Sequence, residues 1–405
     1  MLIQSPMILT MDGDAAPFDG AVRVEGNRIK AIGPDLVPES GEAIVALDHH
    51  ILMPGMINAH CHLDYTGLHG SIFPGKSFTS WIKQINALKK SLGPEDYISA
   101  IERGYDMLLQ SGCTTVFNLE AFPELLLKLT RPPMRVWWFL ELIDVRTRLA
   151  SDEMLMGALD FFESHPEWLG GFGLAPHAPY TASIELFRLA RHCSEELGMP
   201  FTTHIAESLD ENEMFHSGSG ELYEFLASLG RDMSDCGHGS SLSHLMEFGL
   251  LNDRCLATHL NYLQDYDFKH LEQQPLTVIH CPLCHDYFGH REFPLEQIEA
   301  TGSRVAIGTD SLASNSHTAL DLRAEIRHAR TQFPRQTPKD WLKKITTIPA
   351  AAIGKPDDLG VLKDGALADL VAFETAGVEH VEDPYDWIIE STQAPHFTLI
   401  NGVSL

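Results

Sequence analysis

Between residues 56 and 310 the chain alternates short apolar runs with longer amphipathic stretches. This alternation predicts βα units around a parallel sheet. The candidate strands are Met56–His62, Cys113–Leu119, Met134–Ile143, Gly171–His177, Pro200–Ile205, Cys255–Leu260, Leu276–Cys281 and Arg304–Asp310. Helical spacing falls between them over Glu95–Gln110, Ser183–Leu197 and the Leu-rich Glu124–Leu129. Gly112, Gly198 and Gly302 stand where a left-handed residue commonly stops a helix. Eight such units fit an α/β fold, a (β/α)8 TIM barrel. An open doubly wound sheet is the structural rival, and no Gly-x-Gly-x-x-Gly follows an early strand to support it.

The two ends have a different texture. Ala21–Glu25 and Arg28–Ile32 flank a Gly26-Asn27 turn and predict a hairpin. The C-terminal end repeats this style in Leu359–Gly365, in the apolar run Ala368–Phe373, and in Thr398–Ile400 before Asn401-Gly402. Neither end carries enough strands to close a sheet. The expected organisation is therefore a composite β-sandwich of residues 1–55 plus 357–405, beside a barrel of residues 56–356.

Composition narrows the partners. A chain of 405 residues with 44% hydrophobic content can bury a large core. Its formal charge of -27 repels polyphosphates and anionic lipid, so no nucleic-acid or membrane partner is expected. The opening Met-Leu-Ile-Gln-Ser-Pro lacks a basic n-region, and no run reaches the ~20 apolar residues that cross a bilayer. A soluble, cytoplasmic protein is expected. Its 7 cysteines, an odd number scattered along the chain, are expected as reduced thiols.

The candidate chemistry starts at Leu52–His62, where a Pro54-Gly55 break leads into an apolar strand. Side chains alternate along a strand, so His60 and His62 project to one side, and two imidazoles there suit one metal ion. Alone, His-x-His is a weak signal. Thr203-His204-Ile-Ala-Glu207, Thr258-His259 and Gly308-Thr-Asp310-Ser311 strengthen it, each lying at a predicted strand end. In a barrel the C-terminal strand ends share one mouth. That mouth would hold His60, His62, His177, His204, His259 and Asp310, a set poorly explained as separate core residues.

These residues resemble the amidohydrolase superfamily, in the branch of deaminases and chlorohydrolases that includes adenosylhomocysteine/methylthioadenosine deaminases, guanine deaminases and s-triazine hydrolases. The markers are Pro54-Gly55 before His60-x-His62, then His204-x-x-Glu207, His259 and Gly308-Thr-Asp310-Ser311. The resemblance implies one divalent metal held by His60, His62, His204 and Asp310, with Glu207 and His259 touching the reacting water. Zinc is the first choice and ferrous iron the alternative. A binuclear relative would usually present a carboxylated lysine from strand 4, and none stands at that strand end. Many members carry an Asn-Pro-x-Ser-Asn-like segment after strand 7, whereas this chain has His280-Cys281-Pro282-Leu-Cys284-His285-Asp286. With Gly75-Lys-Ser-Phe78-x-x-Trp81 and Ser311-Leu-Ala-Ser314-Asn315, this variant is similar to aminodeoxyfutalosine-type deaminases.

The implied roles follow. Glu207 would shuttle the water proton to a ring nitrogen and then to the departing amine; without the resemblance it reads as a solvated glutamate in the acidic loop Glu207–Glu213. Asp310 would ligate the metal and hydrogen-bond the water. His259 would steady the attacking hydroxide and the developing oxyanion, or else be a core histidine. His177 sits where the family contacts substrate. Phe78 and Trp81 either stack on a planar heterocycle or belong to the core. Arg148, near Arg146, is a candidate carboxylate or ribosyl grip, with a surface ion pair as its alternative. Cys281-x-x-Cys284 lacks the second pair that a structural zinc site needs.

The expected protein is a metal-dependent aminohydrolase acting on C–N bonds other than peptide bonds, with a small heterocyclic substrate of adenine-nucleoside type. Dechlorination or cyclic-amide opening on the same scaffold is the nearer rival, and a catalytically silent scaffold the more distant one. A homodimer is expected because it is common in similar proteins.

Overall fold

The computed structural model describes residues 1–145, 151–375 and 381–405, with the side chains of 151–154 excepted. Two sheets organise it. One is a run of eight strands hydrogen-bonded in sequence order: Met56–Cys61, Cys113–Glu120, Arg135–Leu142, Gly170–Pro176, Phe201–Ile205, Cys255–His259, Thr277–His280 and Arg304–Ile307. Pairing is parallel, as in Thr202 with Leu256 and Val278 with Val305. A parallel bridge from Cys61 to Asp310 brings the last strand back to the first. The N–H groups of Thr309 and Asp310 both donate to the His60 carbonyl there. The result is a (β/α)8 barrel.

Every residue of the second, third, fifth, sixth and seventh barrel strands is buried. Strands covered on both faces read as continuous apolar runs, which is why alternation is weak along them. Outer helices include Pro94–Ser111 and Ile184–Leu197. The second is capped by Ser183, whose hydroxyl accepts from the Leu186 N–H, and it ends at Gly198 in the left-handed region, φ 67°.

Several predicted elements differ. Glu124–Leu129 is not a helix: a 3-10 turn covers only Pro123–Leu125. Its N-cap, Phe122, makes no side-chain cap, and the chain continues only as a turn in which the Lys128 and Leu129 N–H groups donate to the Leu125 carbonyl, with Pro132-Pro133 beyond it. The fourth and eighth strands stop at Pro176 and Ile307 rather than at His177 and Asp310. Asp310 meets the first strand only through the isolated bridge to Cys61, with φ 53°, a left-handed conformation.

The second sheet joins both ends of the chain. Its strands are Leu2–Ile8, Phe18–Glu25, Arg28–Gly33, Ile44–Ala46, His50–Pro54, Leu370–Glu374, Phe397–Ile400 and Val403–Ser404. The hairpin pairs Glu25 with Arg28, and His50–Pro54 pairs antiparallel with Leu370–Glu374. Ile3, Val22, Leu52, Leu370 and Leu399 share its core. Leu359–Gly365 forms no strand, but Val361 and Leu362 are buried in that core, and the Leu362 N–H donates to the Thr10 carbonyl.

By contacts the described chain divides into two compact units, one of Met1–Ala59, Tyr105–Val116 and Leu320–Leu405, the other of His60–Gly104 and Phe117–Ala319. All the candidate site residues that the structure describes fall in the second unit.

Candidate active site

His60 lies on the first barrel strand and His62 just beyond it. Asp310 reaches them from the loop after the eighth strand, with its Oδ1 3.5 Å from His60 Nε2 and 3.6 Å from His62 Nε2. His204, from the fifth strand, points its Nε2 to 3.4 Å from that of His62. The Nδ1 of His204 donates to the His177 carbonyl at 2.7 Å, which fixes the tautomer and leaves Nε2 free to act as a ligand. Ligand atoms of His60, His62 and Asp310 lie within 4.8 Å of one another, as do those of His60, His204 and His259 and those of Glu207, His259 and Asp310.

Charge states suit a cation. Burial, then the neighbouring imidazoles, holds His62 well below the usual histidine range, and burial lowers His204 to about 3. Burial also opposes ionisation of Asp310, but the hydrogen bond to His60 and the flanking imidazoles outweigh it, and its carboxyl sits well below the usual range. Neutral imidazoles and an ionised carboxylate at this spacing fit a divalent metal.

Gly308 makes the convergence sterically feasible. A Cβ there would stand 2.7 Å from His60 Cβ and 2.8 Å from its backbone N. The close approach is thus to the His60 backbone, and it carries Asp310 to the cluster. Backbone strain gathers at the same place, with φ of 50° at Ala206, 80° at His259, 51° at Leu260 and 53° at Asp310. Left-handed non-glycine residues persist where the surroundings over-determine them, commonly at functional sites.

Glu207 is buried, and its Oε1 lies 3.7 Å from His259 Nε2. Burial, then the charges of Asp310 and Glu211, pushes its carboxyl well above the usual range. Burial likewise keeps His259 well below its usual range. The Glu207 backbone is held at both ends. Its N–H donates to Glu211 Oε2 at 2.8 Å, and Asn261 Nδ2 donates to its carbonyl at 2.9 Å. Glu211 Oε1 also accepts the Ala206 N–H at 2.7 Å. The segment after the seventh strand joins this support: the Cys284 thiol donates to Ser314 Oγ at 3.6 Å, and Ser314 donates to Asp310 Oδ2 at 3.4 Å.

A cavity of about 630 Å³ opens over the cluster. His62, His204, Glu207 and Asp310 line its floor, and His177, Phe78 and Trp81 its walls. Phe78 and Trp81 come from the helix Phe78–Lys89, with rings 6.1 Å apart and near parallel, and Phe288 meets both edge-on. The His177 ring is 4.9 Å from that of His204, its Nδ1 bonds Thr181 Oγ1 at 2.5 Å, and burial lowers it to about 3. Arg148 and Arg146 lie outside the described residues. Sequence reasoning missed Tyr65, Lys89, Glu141, Glu211 and Ser314. Glu141 had a readable signal, since it lies near the C-terminal end of a predicted strand, and Ser314 belongs to the Ser311–Asn315 segment quoted above; the others are loop or helix residues with no pattern of their own.

The model of the amidohydrolase family matches residues 51–404. The chain belongs to the amidohydrolase family. This amidohydrolase is similar to the 5-methylthioadenosine/S-adenosylhomocysteine deaminase of Pyrococcus furiosus, 27% identical over 91% of this chain and 85% of that protein. Among solved structures it superposes on a zinc-bound adenosine deaminase from Xanthomonas campestris with a TM-score of 0.82 at 24% identity, covering 100% of this chain and 92% of the other. Against Helicobacter pylori aminofutalosine deaminase in complex with methylthio-coformycin, the TM-score is 0.84 at 19% identity, covering 100% and 99%.

Proposed function

We propose that this amidohydrolase replaces an exocyclic amine of an adenine-type nucleoside, or a related N-heterocycle, with oxygen and releases ammonia. One observation carries the reading: Glu207 and His259, 3.7 Å apart, stand with Asp310 against the histidine cluster, and Glu207, His62, His204 and Asp310 line the cavity. The deaminase names of its relatives point the same way. His60, His62, His204 and Asp310 would hold a single zinc ion. When bound, such a cation supplies the Lewis acidity that makes water nucleophilic at neutral pH.

The residues of the chain do the rest. Glu207 accepts one proton of the attacking water on its carboxylate and delivers it to the ring nitrogen beside the reacting carbon; it then takes the remaining hydroxyl proton of the adduct and gives it to the amine, so that the carbonyl forms as the C–N bond breaks and ammonia leaves. Burial raises its proton affinity, which favours its taking the water proton. His259 holds the attacking oxygen in line, and Asp310 accepts a hydrogen bond from it. Phe78 and Trp81 close the aromatic side of the cavity and exclude water.

The test is ammonia release by the zinc-loaded protein from adenine nucleosides, aminodeoxyfutalosine, guanine and aminotriazines. Glu207→Gln should lower turnover by about 10²- to 10⁴-fold with zinc content unchanged. No ammonia from any of these amines, or an unaffected Glu207→Gln variant, would sink the reading.

A further inference from the structure

The segment after the seventh barrel strand, residues 280–291, departs from the family pattern and takes no part in the proton transfers above. It packs against the loop that follows His259 on the sixth strand. Of its histidines, His280 lies flat on the Phe293 ring, 3.8 Å away, and His290 bonds the Tyr262 hydroxyl. His285 is buried and reaches Asn261, with 3.1 Å between its Nδ1 and Asn261 Oδ1. Arg291 Nε donates to the Asn261 carbonyl at 2.9 Å, so the same segment grips the Asn261 backbone too.

The direction of this chain of hydrogen bonds is fixed at its far end. Asn261 Nδ2 stands 2.9 Å from the Glu207 carbonyl, which can only accept. The amide therefore turns its nitrogen to Glu207 and its oxygen to His285. That oxygen can only accept as well, so the imidazole nitrogen facing it carries a proton and donates. An apolar residue at position 285 would take this donor from a buried amide oxygen, which costs more than an exposed one would. The effect reaches Glu207. Its N–H is tied to Glu211, four residues on, and Ala206 before it is held at φ 50°. Asn261 supplies the tie from another strand's loop, which opposes rotation of the Glu207 peptide and so fixes where its carboxylate stands, 3.7 Å from His259.

We infer that His285 is a positioning residue for the deamination: its Nδ1–H sets the Asn261 amide, and through it the place of the Glu207 carboxylate beside the cluster. The inference rests on the deaminase reading above.

Two measurements test it. In the wild type, nitrogen NMR of the His285 ring, identified by the signal lost in His285→Asn, should show Nδ1 protonated; a bare Nδ1 overturns the inference whatever the protein catalyses. Kinetics of the zinc-loaded protein use the amine that the wild type deaminates fastest, with zinc content and thermal melts as controls. His285→Leu should lower kcat by about 10- to 100-fold and leave KM nearly unchanged. His285→Asn, whose Nδ2 can donate from the same place, should recover most of that loss. His285→Leu combined with Asn261→Leu should lose no more than Asn261→Leu alone, because both act through one contact. Full kcat in His285→Leu, no recovery in His285→Asn, or additive losses in the double variant overturn the inference while deamination stands. Ammonia from none of the amines removes the deaminase reading itself, and the positioning role with it.

Discussion

Gly308 shows how one missing side chain shapes this site. Its alanine variant would press a methyl group against the His60 Cβ and backbone, and neither can yield without moving a ligand. Gly308→Ala should cost about 1–3 kcal/mol in urea denaturation and weaken zinc binding in competition with a chelator. Glu211 works through charge as well as shape. Burial raises it to about 7, against the hydrogen bonds from Ser241 and from the backbone of Glu207, Ala206 and Ser208 that favour its ionised form. A carboxyl raised on folding binds its proton more tightly in the native state. Its contribution is therefore full below about pH 4.5 and lost as pH rises to about 7, a change of roughly 3 kcal/mol. Metal-free wild type should accordingly lose stability across that window, and Glu211→Gln should flatten the slope in denaturation at pH 5 and pH 8. An unchanged slope would assign the pH dependence elsewhere.

At the scale of elements, the helix Phe78–Lys89 ties the cavity wall to the fold. Ser77 caps it by accepting the Ser80 N–H, and the Asp210 carboxylate accepts the Thr79 N–H at 2.8 Å. Phe78 is buried among Met214, Phe215 and Leu222, whereas Trp81 packs only partly against that cluster. The two aromatics of one motif thus separate in consequence. Phe78→Ala should lower stability by about 3–5 kcal/mol. Trp81→Ala should cost less stability and raise KM, with thermal melts and steady-state kinetics telling the two apart. Helical spacing left open whether this pair belonged to core or cavity, because spacing identifies a face but not its neighbour. The Leu-rich run at 124–129 failed as a helix for a related reason: apolar content marks burial, while the prolines beyond it set where a turn can end.

For the whole molecule, barrel closure is what turns separate strand ends into a site. Residues 250 positions apart, His60 and Asp310, come within 3.5 Å only because the eighth strand returns to the first. A metal that binds this native arrangement and not the unfolded chain stabilises it, by about 2.7 kcal/mol when present at a hundredfold excess over Kd. Chelation should therefore lower the thermal midpoint and zinc should restore it; a midpoint indifferent to zinc would mean that the cluster holds no cation. The amino-acid sequence alone determined the barrel, the joining of both chain ends in a second sheet and the histidines of the mouth, because these depend on periodicity, turn residues and the shared side of strand ends. Only the tertiary structure decided that Glu211 and Asn261 clamp Glu207 and that Ser314 supports Asp310. Such contacts join residues by distance and angle across strands, and no local pattern along the chain encodes them.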